Sequence, residues 1–246
     1  MSPPRVRSVA AAYGHHGHYD IGTVAQHVGR YRKAIAEYRK EIRLTNYYKA
    51  HYNLGTVMEQ QRRYQEAIQA YKEALRRRAD LDDAHNNLGI IYTRRRQYRE
   101  AIRALSRAVR LDPRDPVYVF NLGFAYIEAR EDRKAIAAFR KTLRLMPRHL
   151  GALHNLGLLL IDRDEAVAEG VRLLQKARKI APRAPGILAD LAIGYLKQGR
   201  LAQATRMGRQ AKRLAPTDQR VLRASRRVLS ATRLASKIGG GVRKKT

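Results

Sequence analysis

The sequence predicts an all-α chain, a row of stacked helical hairpins, on three observations. The triplet Asn-Leu-Gly returns every 34 residues, at Asn53-Leu54-Gly55, Asn87-Leu88-Gly89, Asn121-Leu122-Gly123 and Asn155-Leu156-Gly157, and self-similarity at a fixed period of this size marks an array of one repeated supersecondary unit. Within a period the packing residues have helical spacing: His85, Leu88, Gly89 and Tyr92 fall at i, i+3, i+4 and i+7, then Ala101, Leu105 and Ala108 follow after a turn. Prolines close the periods at Pro113, Pro147 and Pro216, where a missing N–H and a ring clash stop a helix.

Aligned on the glycine, the units are 15–47, 48–81, 82–115, 116–149, 150–184 and 185–218, and only the fifth carries an extra residue. The first departs from the pattern at Glu41, where a small residue belongs, so a less tightly packed hairpin is expected there. The second repeats the pattern through Leu54, Gly55, Met58, Ala67, Tyr71 and Ala74. The third is the one described above, with Gly89 and Ala101 small enough for close backbone approach. Leu122, Gly123, Tyr126, Ala135, Phe139 and Pro147 make the fourth. The fifth has Gly170 at the helix crossing, which predicts a loosened loop near Asp162 to Gly170, and Leu191, Tyr195, Ala204, Ala211 and Pro216 make the sixth.

Residues 219–238 then form an apolar stripe of Val221, Ala224, Val228, Ala231, Ala235 and Ile238, with Arg223, Arg226, Arg227 and Arg233 on the other faces. This reads as a capping helix, needed because a terminal repeat otherwise exposes its packing face. Gly239, Gly240 and Gly241 are expected to end it, leaving 239–246 as a basic flexible tail. Residues 1–14 read as a disordered N-terminus, with His15, His16 and His18 part of that polar start rather than a metal site.

These residues resemble the tetratricopeptide repeat, a 34-residue helix-turn-helix unit with small residues at the crossing and a closing proline. The resemblance covers 15–218 and implies a right-handed superhelical solenoid of antiparallel helix pairs. It departs from the family where His51, His85, Val119 and Leu153 replace the usual aromatic; both histidines read as packing residues. It further implies that the first helix of each pair lines a concave groove. On that assignment Asn53, Asn87, Asn121 and Asn155 form a row of carboxamides, flanked by Tyr52, Phe120, Phe124, His154 and Leu158. A carboxamide both donates to a peptide C=O and accepts from its N–H, so a regular row can hold an extended backbone without reading its sequence. The row looks like the asparagine ladder of O-linked N-acetylglucosamine transferases and kinesin light chains, although asparagine is also simply common at this repeat position. It stops at Asp20 and Asp190 in the outer units. The family's two-carboxylate clamp needs Lys and Asn on one repeat, Asn on the next, and Lys and Arg on a third; the corresponding positions here hold Tyr19 and Thr23, Asn53, then Asp83 and Asn87, so binding of chaperone tails by that mechanism is not expected.

The net charge of +30, from 51 Lys+Arg against 21 Asp+Glu, exceeds what solubility requires. Arg95, Arg96, Arg99, Arg103, Arg107, Arg140 and Arg144 are expected on turns and on the outer face of second helices, with Arg99, Arg103 and Arg107 forming a ridge at i+4 steps. Such a ridge suits an acidic protein surface, an anionic membrane or nucleic-acid phosphates. Base readout has no supporting motif. Arginine outnumbers lysine about three to one, which favours bidentate contacts and which a GC-rich coding bias would also produce.

Chemistry is mostly excluded. Zero cysteines remove disulfides, thiolate metal sites and thiol nucleophiles. No phosphate-cradling loop, zinc-protease helix or nucleophile elbow occurs, and the acidic residues sit in connecting loops. No cofactor is expected, no apolar run approaches the roughly 18 residues of a membrane helix, and no secretory leader is visible, which reads as cytoplasmic. The sequence therefore reads as a non-catalytic adaptor or scaffold taking an extended peptide or partner helix in the groove and an acidic partner on its basic outer face. The alternatives are a nucleic-acid- or ribonucleoprotein-associated factor using the arginine-rich face, and a scaffold assembled from copies of itself.

Overall fold

The computed structural model describes residues 16–164 and 166–242, with side chains through 235. Among the described residues every regular element is an α-helix: α1 (Gly17–His27), α2 (Tyr31–Thr45), α3 (Tyr48–Gln60), α4 (Tyr64–Arg77), α5 (Asp82–Arg94), α6 (Tyr98–Leu111), α7 (Pro116–Glu128), α8 (Asp132–Leu145), α9 (Leu150–Asp162), α10 (Val167–Ile180), α11 (Pro185–Lys197), α12 (Leu201–Leu214) and α13 (Gln219–Val242). The expected disordered segment 1–14 and the last residues of the expected tail, 243–246, lie outside the described residues. The chain forms two compact units, 1–129 and 130–246, so the fourth repeat gives α7 to the first and α8 to the second.

In the first unit α1/α2, α3/α4 and α5/α6 are hairpins, each stacked on the next, and α7 packs on α5 and α6. The crossings use the glycine of the repeated triplet. A Cβ on Gly55 would lie 2.7 Å from the ring of Tyr71, and one on Gly89 2.3 Å from Leu105 Cγ, so only glycine lets these fully buried side chains lie across the first helix. The tyrosines are satisfied at their tips: Tyr38 donates to Gln26 Oε1 at 2.8 Å and Tyr71 to Glu59 Oε2 at 3.1 Å.

The turn inside each hairpin has one recurring conformation. Gly29, Arg62, Arg96, Arg130, Asp164 and Gly199 hold positive φ between 56° and 73°, one at each repeat's fifteenth position. The residue after it donates back to the helix, as Arg63 N–H to Met58 O at 2.8 Å and Gln97 N–H to Tyr92 O at 2.9 Å, the six-to-one bond of a left-handed helix end. Glycine serves this turn in only two of the six.

In the second unit α8 packs on α9, α9/α10 and α11/α12 are hairpins, and α13 covers both α11 and α12. Asp218 starts α13, its carboxylate accepting from Val221 N–H at 3.0 Å.

Three expectations are corrected. Glu41 does not loosen the first hairpin: it is 1% exposed and accepts from His16 Nδ1 at 2.7 Å, Thr45 Oγ1 at 2.6 Å and Tyr19 N–H at 3.3 Å. His16 and His18 are therefore not part of a loose start; His18 Nδ1 bonds Glu37 Oε2 at 2.6 Å, and both rings tie α1 to α2. At Gly170 α10 crosses α9 closely, since a Cβ there would stand 2.6 Å from Gly157 O, while residue 165 of the loop expected to be loosened lies outside the described residues. The capping helix does not stop at 238 but runs to Val242, because glycines weaken a helix by about 1 kcal/mol each without obstructing it as proline does.

Candidate functional site

In the first unit the ladder positions lie on the first helices of their repeats, α1, α3, α5 and α7. The repeat sets Asn53, Asn87 and Asn121 at equivalent places, each half-buried. Their amides are not idle. Asn53 Nδ2 donates to the Tyr38 hydroxyl at 3.4 Å, and Asn87 Nδ2 to the hydroxyls of Tyr52 at 3.4 Å and Tyr71 at 3.3 Å. Asn121 Nδ2 donates to Asn86 Oδ1 at 2.8 Å, and Asn86 in turn donates to Asn87 Oδ1 at 3.3 Å. Against a usual separation of about 2.9–3.0 Å, all of these except the Asn121 bond are long.

The bonds step from one repeat to the next. Asn87 to Tyr52, Asn121 to Asn86 and Tyr118 to Asp83 each join residues 35 apart, the last at 2.7 Å. The sequence reading missed this second duty of the ladder. Its signal was the tandem Asn86-Asn87, which places a carboxamide on each side of the junction between repeats. Burial and the nearby Asp83 carboxylate push the Tyr52 phenol up to about 12, and burial and the bond to Asp83 raise Tyr118, so both stay protonated.

Further along this face α7 is apolar. Val117, Phe120 and Phe124 recur at i, i+3 and i+7; Phe120 is half-buried, whereas Val117 is 46% and Phe124 41% exposed. Val117 was not among the residues singled out from sequence. Asp115 aims this helix by accepting from the N–H groups of Val117 and Tyr118 at 2.6 and 3.1 Å, with Pro116 at its first position.

The other three expected groove residues, His154, Asn155 and Leu158, belong to the second unit. Asn155 is half-buried on α9. His154 does not stand open: its Nε2 bonds Asp190 Oδ2 at 2.7 Å. Arg220 of α13 donates to both oxygens of that carboxylate, at 3.0 and 2.9 Å, and Asp190 is 5% exposed. The aspartate where the asparagine row ends is thus the acceptor joining two repeats to the cap.

The arginines divide similarly. Arg99, Arg103 and Arg107 are exposed along α6, and none forms an ion pair with a described residue. Arg63, Arg76, Arg77 and Arg78 each reach a carboxylate within 3.0 Å. Arg95 donates to Gln65, and Arg96 occupies the left-handed turn. Arg140 and Arg144 lie on α8 in the second unit; Arg140 meets Glu169 at 3.1 Å and Arg144 is exposed. No three metal-ligating side chains cluster among the described residues, and no described helix is long and apolar enough to cross a membrane.

Two family models described as tetratricopeptide repeat match the chain, over residues 49–114 and 86–149. Among solved structures, YrrB, described as a TPR protein with an unusual peptide-binding site, is similar at 16% identity and a TM-score of 0.66, over 77% of this chain and 97% of that one. PilF of Pseudomonas aeruginosa is similar at 20% identity and a TM-score of 0.73, over 84% and 94%. MamA of Desulfovibrio magneticus is similar at 22% identity and a TM-score of 0.61, over 66% and 94%. No curated protein matches the sequence. At these identities the similarity carries the fold.

Proposed function

Because the chain is a member of the tetratricopeptide repeat family, whose fold serves protein interaction, we propose that it is an adaptor whose first-helix face, in the unit of residues 1–129, holds an extended peptide. The observation that carries this reading is the pairing of carboxamides held only by long hydrogen bonds, at Asn53 and Asn87, with exposed apolar side chains on α7. The long bonds of Asn53 and Asn87 lose little when exchanged for a peptide backbone. Val117 and Phe124 offer apolar area that folding has left in water. YrrB, with its described peptide-binding site, is consistent with this use of the fold.

The test selects peptides from a random library on the full-length protein and measures them against three variants. Asn87→Ala and Phe124→Ala should each weaken binding about tenfold, as expected for central interface residues. Arg103→Glu, on a second helix, should leave it unchanged. Selected peptides that bind the first two variants as well as the unaltered protein would refute the reading.

A second reading rests on Arg99, Arg103 and Arg107 of α6, exposed and without an ion pair to a described residue. Three successive exposed guanidinium groups at i+4 steps suit an acidic partner, protein or nucleic acid. For a nucleic acid, the logarithm of affinity should fall with log salt with a slope of about −2 to −3 if all three meet phosphates. A flat slope that survives Arg99→Gln/Arg103→Gln/Arg107→Gln would remove it.

A further inference from the structure

The first-helix face of the unit of residues 1–129 contains an open cavity of about 390 Å³ between α1, α3 and the start of α5. Its walls differ in character from the rest of the molecule. Tyr19, Tyr48 and Tyr52 present aromatic surface, Asp82 and Asp83 supply carboxylates, and Lys49 stands exposed at the side. In a chain of net charge +30, this spot carries an excess of carboxylate once its own ion pair is set aside. That pair is instructive. Arg78 donates to Asp80 Oδ1 at 3.0 Å and to the Tyr48 hydroxyl at 2.7 Å, and its guanidinium carbon lies 5.2 Å from the centre of the Tyr48 ring. The chain thus already seats one half-exposed cation on this wall. Asp83 lies close enough to Tyr52 to add to burial in raising that phenol.

We propose that this cavity receives a lysine or arginine side chain of the peptide held on the first-helix face. The inference rests on the reading of that face as a peptide site and adds what the peptide must carry. Tyrosine faces attract a cation through their quadrupoles. Asp82 and Asp83 supply the charge, and their remaining acceptor lone pairs are available: Asp83 Oδ1 takes one hydrogen bond from Tyr118, and Asp82 Oδ1 one from the Asp83 N–H. The cavity's tyrosines lie among the stepping bonds of the ladder, Asn87 to Tyr52, so a backbone along the asparagines brings its side chains past the opening. Selection follows from contrast: the rest of the surface repels a basic peptide, so the ligand that fits carries a basic residue here and is not strongly basic elsewhere.

The experiment uses the full-length protein with tyrosine rings labelled for NMR, and four capped amino acids as probes: N-acetyl-N-methylamides of arginine, lysine, glutamine and glutamate. The arginine and lysine probes should shift the rings of Tyr19, Tyr48 and Tyr52, and the glutamine and glutamate probes should not. Asp82→Asn/Asp83→Asn keeps both oxygen acceptors and the fold while removing the charge, and should weaken the arginine probe about threefold or more. Equal shifts with glutamine, or an unchanged affinity in that variant, would overturn the proposal. Positional scanning of library-selected peptides separates it from the reading beneath it. Peptides that depend on Asn87 and Phe124 but show no preference for lysine or arginine at any position overturn the cavity and keep the face. A charge-dependent probe response with no peptide retained keeps the cavity and removes the face.

Discussion

Arg62 and Arg96 occupy left-handed turns at φ 59° each, where Gly29 and Gly199 serve the equivalent turns of the outer repeats. An L-residue in this region costs about 1–2 kcal/mol relative to right-handed helix. Replacing it with glycine recovers that strain but adds unfolded-state entropy worth about 0.5–1 kcal/mol. The net gain is about 0.5–1 kcal/mol per turn. The two sites lie in separate hairpins without a shared partner, so Arg62→Gly/Arg96→Gly should add up to about 1–2 kcal/mol. For a chain of this length that corresponds to a rise in Tm of about 2–8 °C. Neither arginine forms an ion pair with a described residue, but removing two charges from a chain of +30 also relieves self-repulsion. The comparison is therefore with Arg62→Gln/Arg96→Gln, which loses the charge and keeps the Cβ. Thermal melts and urea titrations followed by helical circular dichroism would measure both. If the glycine pair melts no higher than the glutamine pair, the positive φ is not strained and the reasoning fails.

Gly89→Ala should destabilise by about 1–2 kcal/mol despite alanine's better helix propensity, because its Cβ would stand 2.3 Å from the buried Leu105 Cγ. Gly208→Ala, where the nearest atom is 3.7 Å away, should instead stabilise by up to about 1 kcal/mol, and paired urea midpoints check the two signs. Burial first, and Arg77 beside His51 and Arg107 and Arg110 beside His85, depress both imidazoles below the ordinary 6.5. Their unfolded forms take up protons below that pH while the folded forms resist, so stability is full above 6.5 and declines as pH falls. His51→Gln/His85→Gln should flatten the decline as pH falls below about 6.5, read as urea midpoints. Asp190→Asn should cost about 1–3 kcal/mol by weakening both the His154 and Arg220 bonds, and less than additively when combined with Arg220→Gln.

The period, the hairpins and the packing glycines were legible in the sequence because each rests on a local rule repeated several times. Leu54, Gly55, Tyr71 and Ala74 state the same crossing as Leu88, Gly89, Leu105 and Ala108. What escaped was pairing across repeats. A glutamate at 41 reads as a defect until His16 and Thr45 are found on its oxygens, and nothing in local spacing announces a partner 25 residues away. Asp190 read as the end of a row for the same reason, since its partners are a histidine one repeat earlier and an arginine on the cap. Asn53, Asn87 and Asn121 lie on the first helices α3, α5 and α7, as the repeat spacing predicts, but local spacing could not tell that their donors already have hydroxyl and amide partners.

Those partners give the ladder a mechanical side. Whatever takes the Asn87 amide releases the hydroxyls of Tyr52 and Tyr71, one in the preceding repeat's first helix and one in its second. Occupancy of the face and cohesion between neighbouring hairpins then draw on the same few protons. A backbone held there as proposed would replace several weak cross-links with one continuous strap.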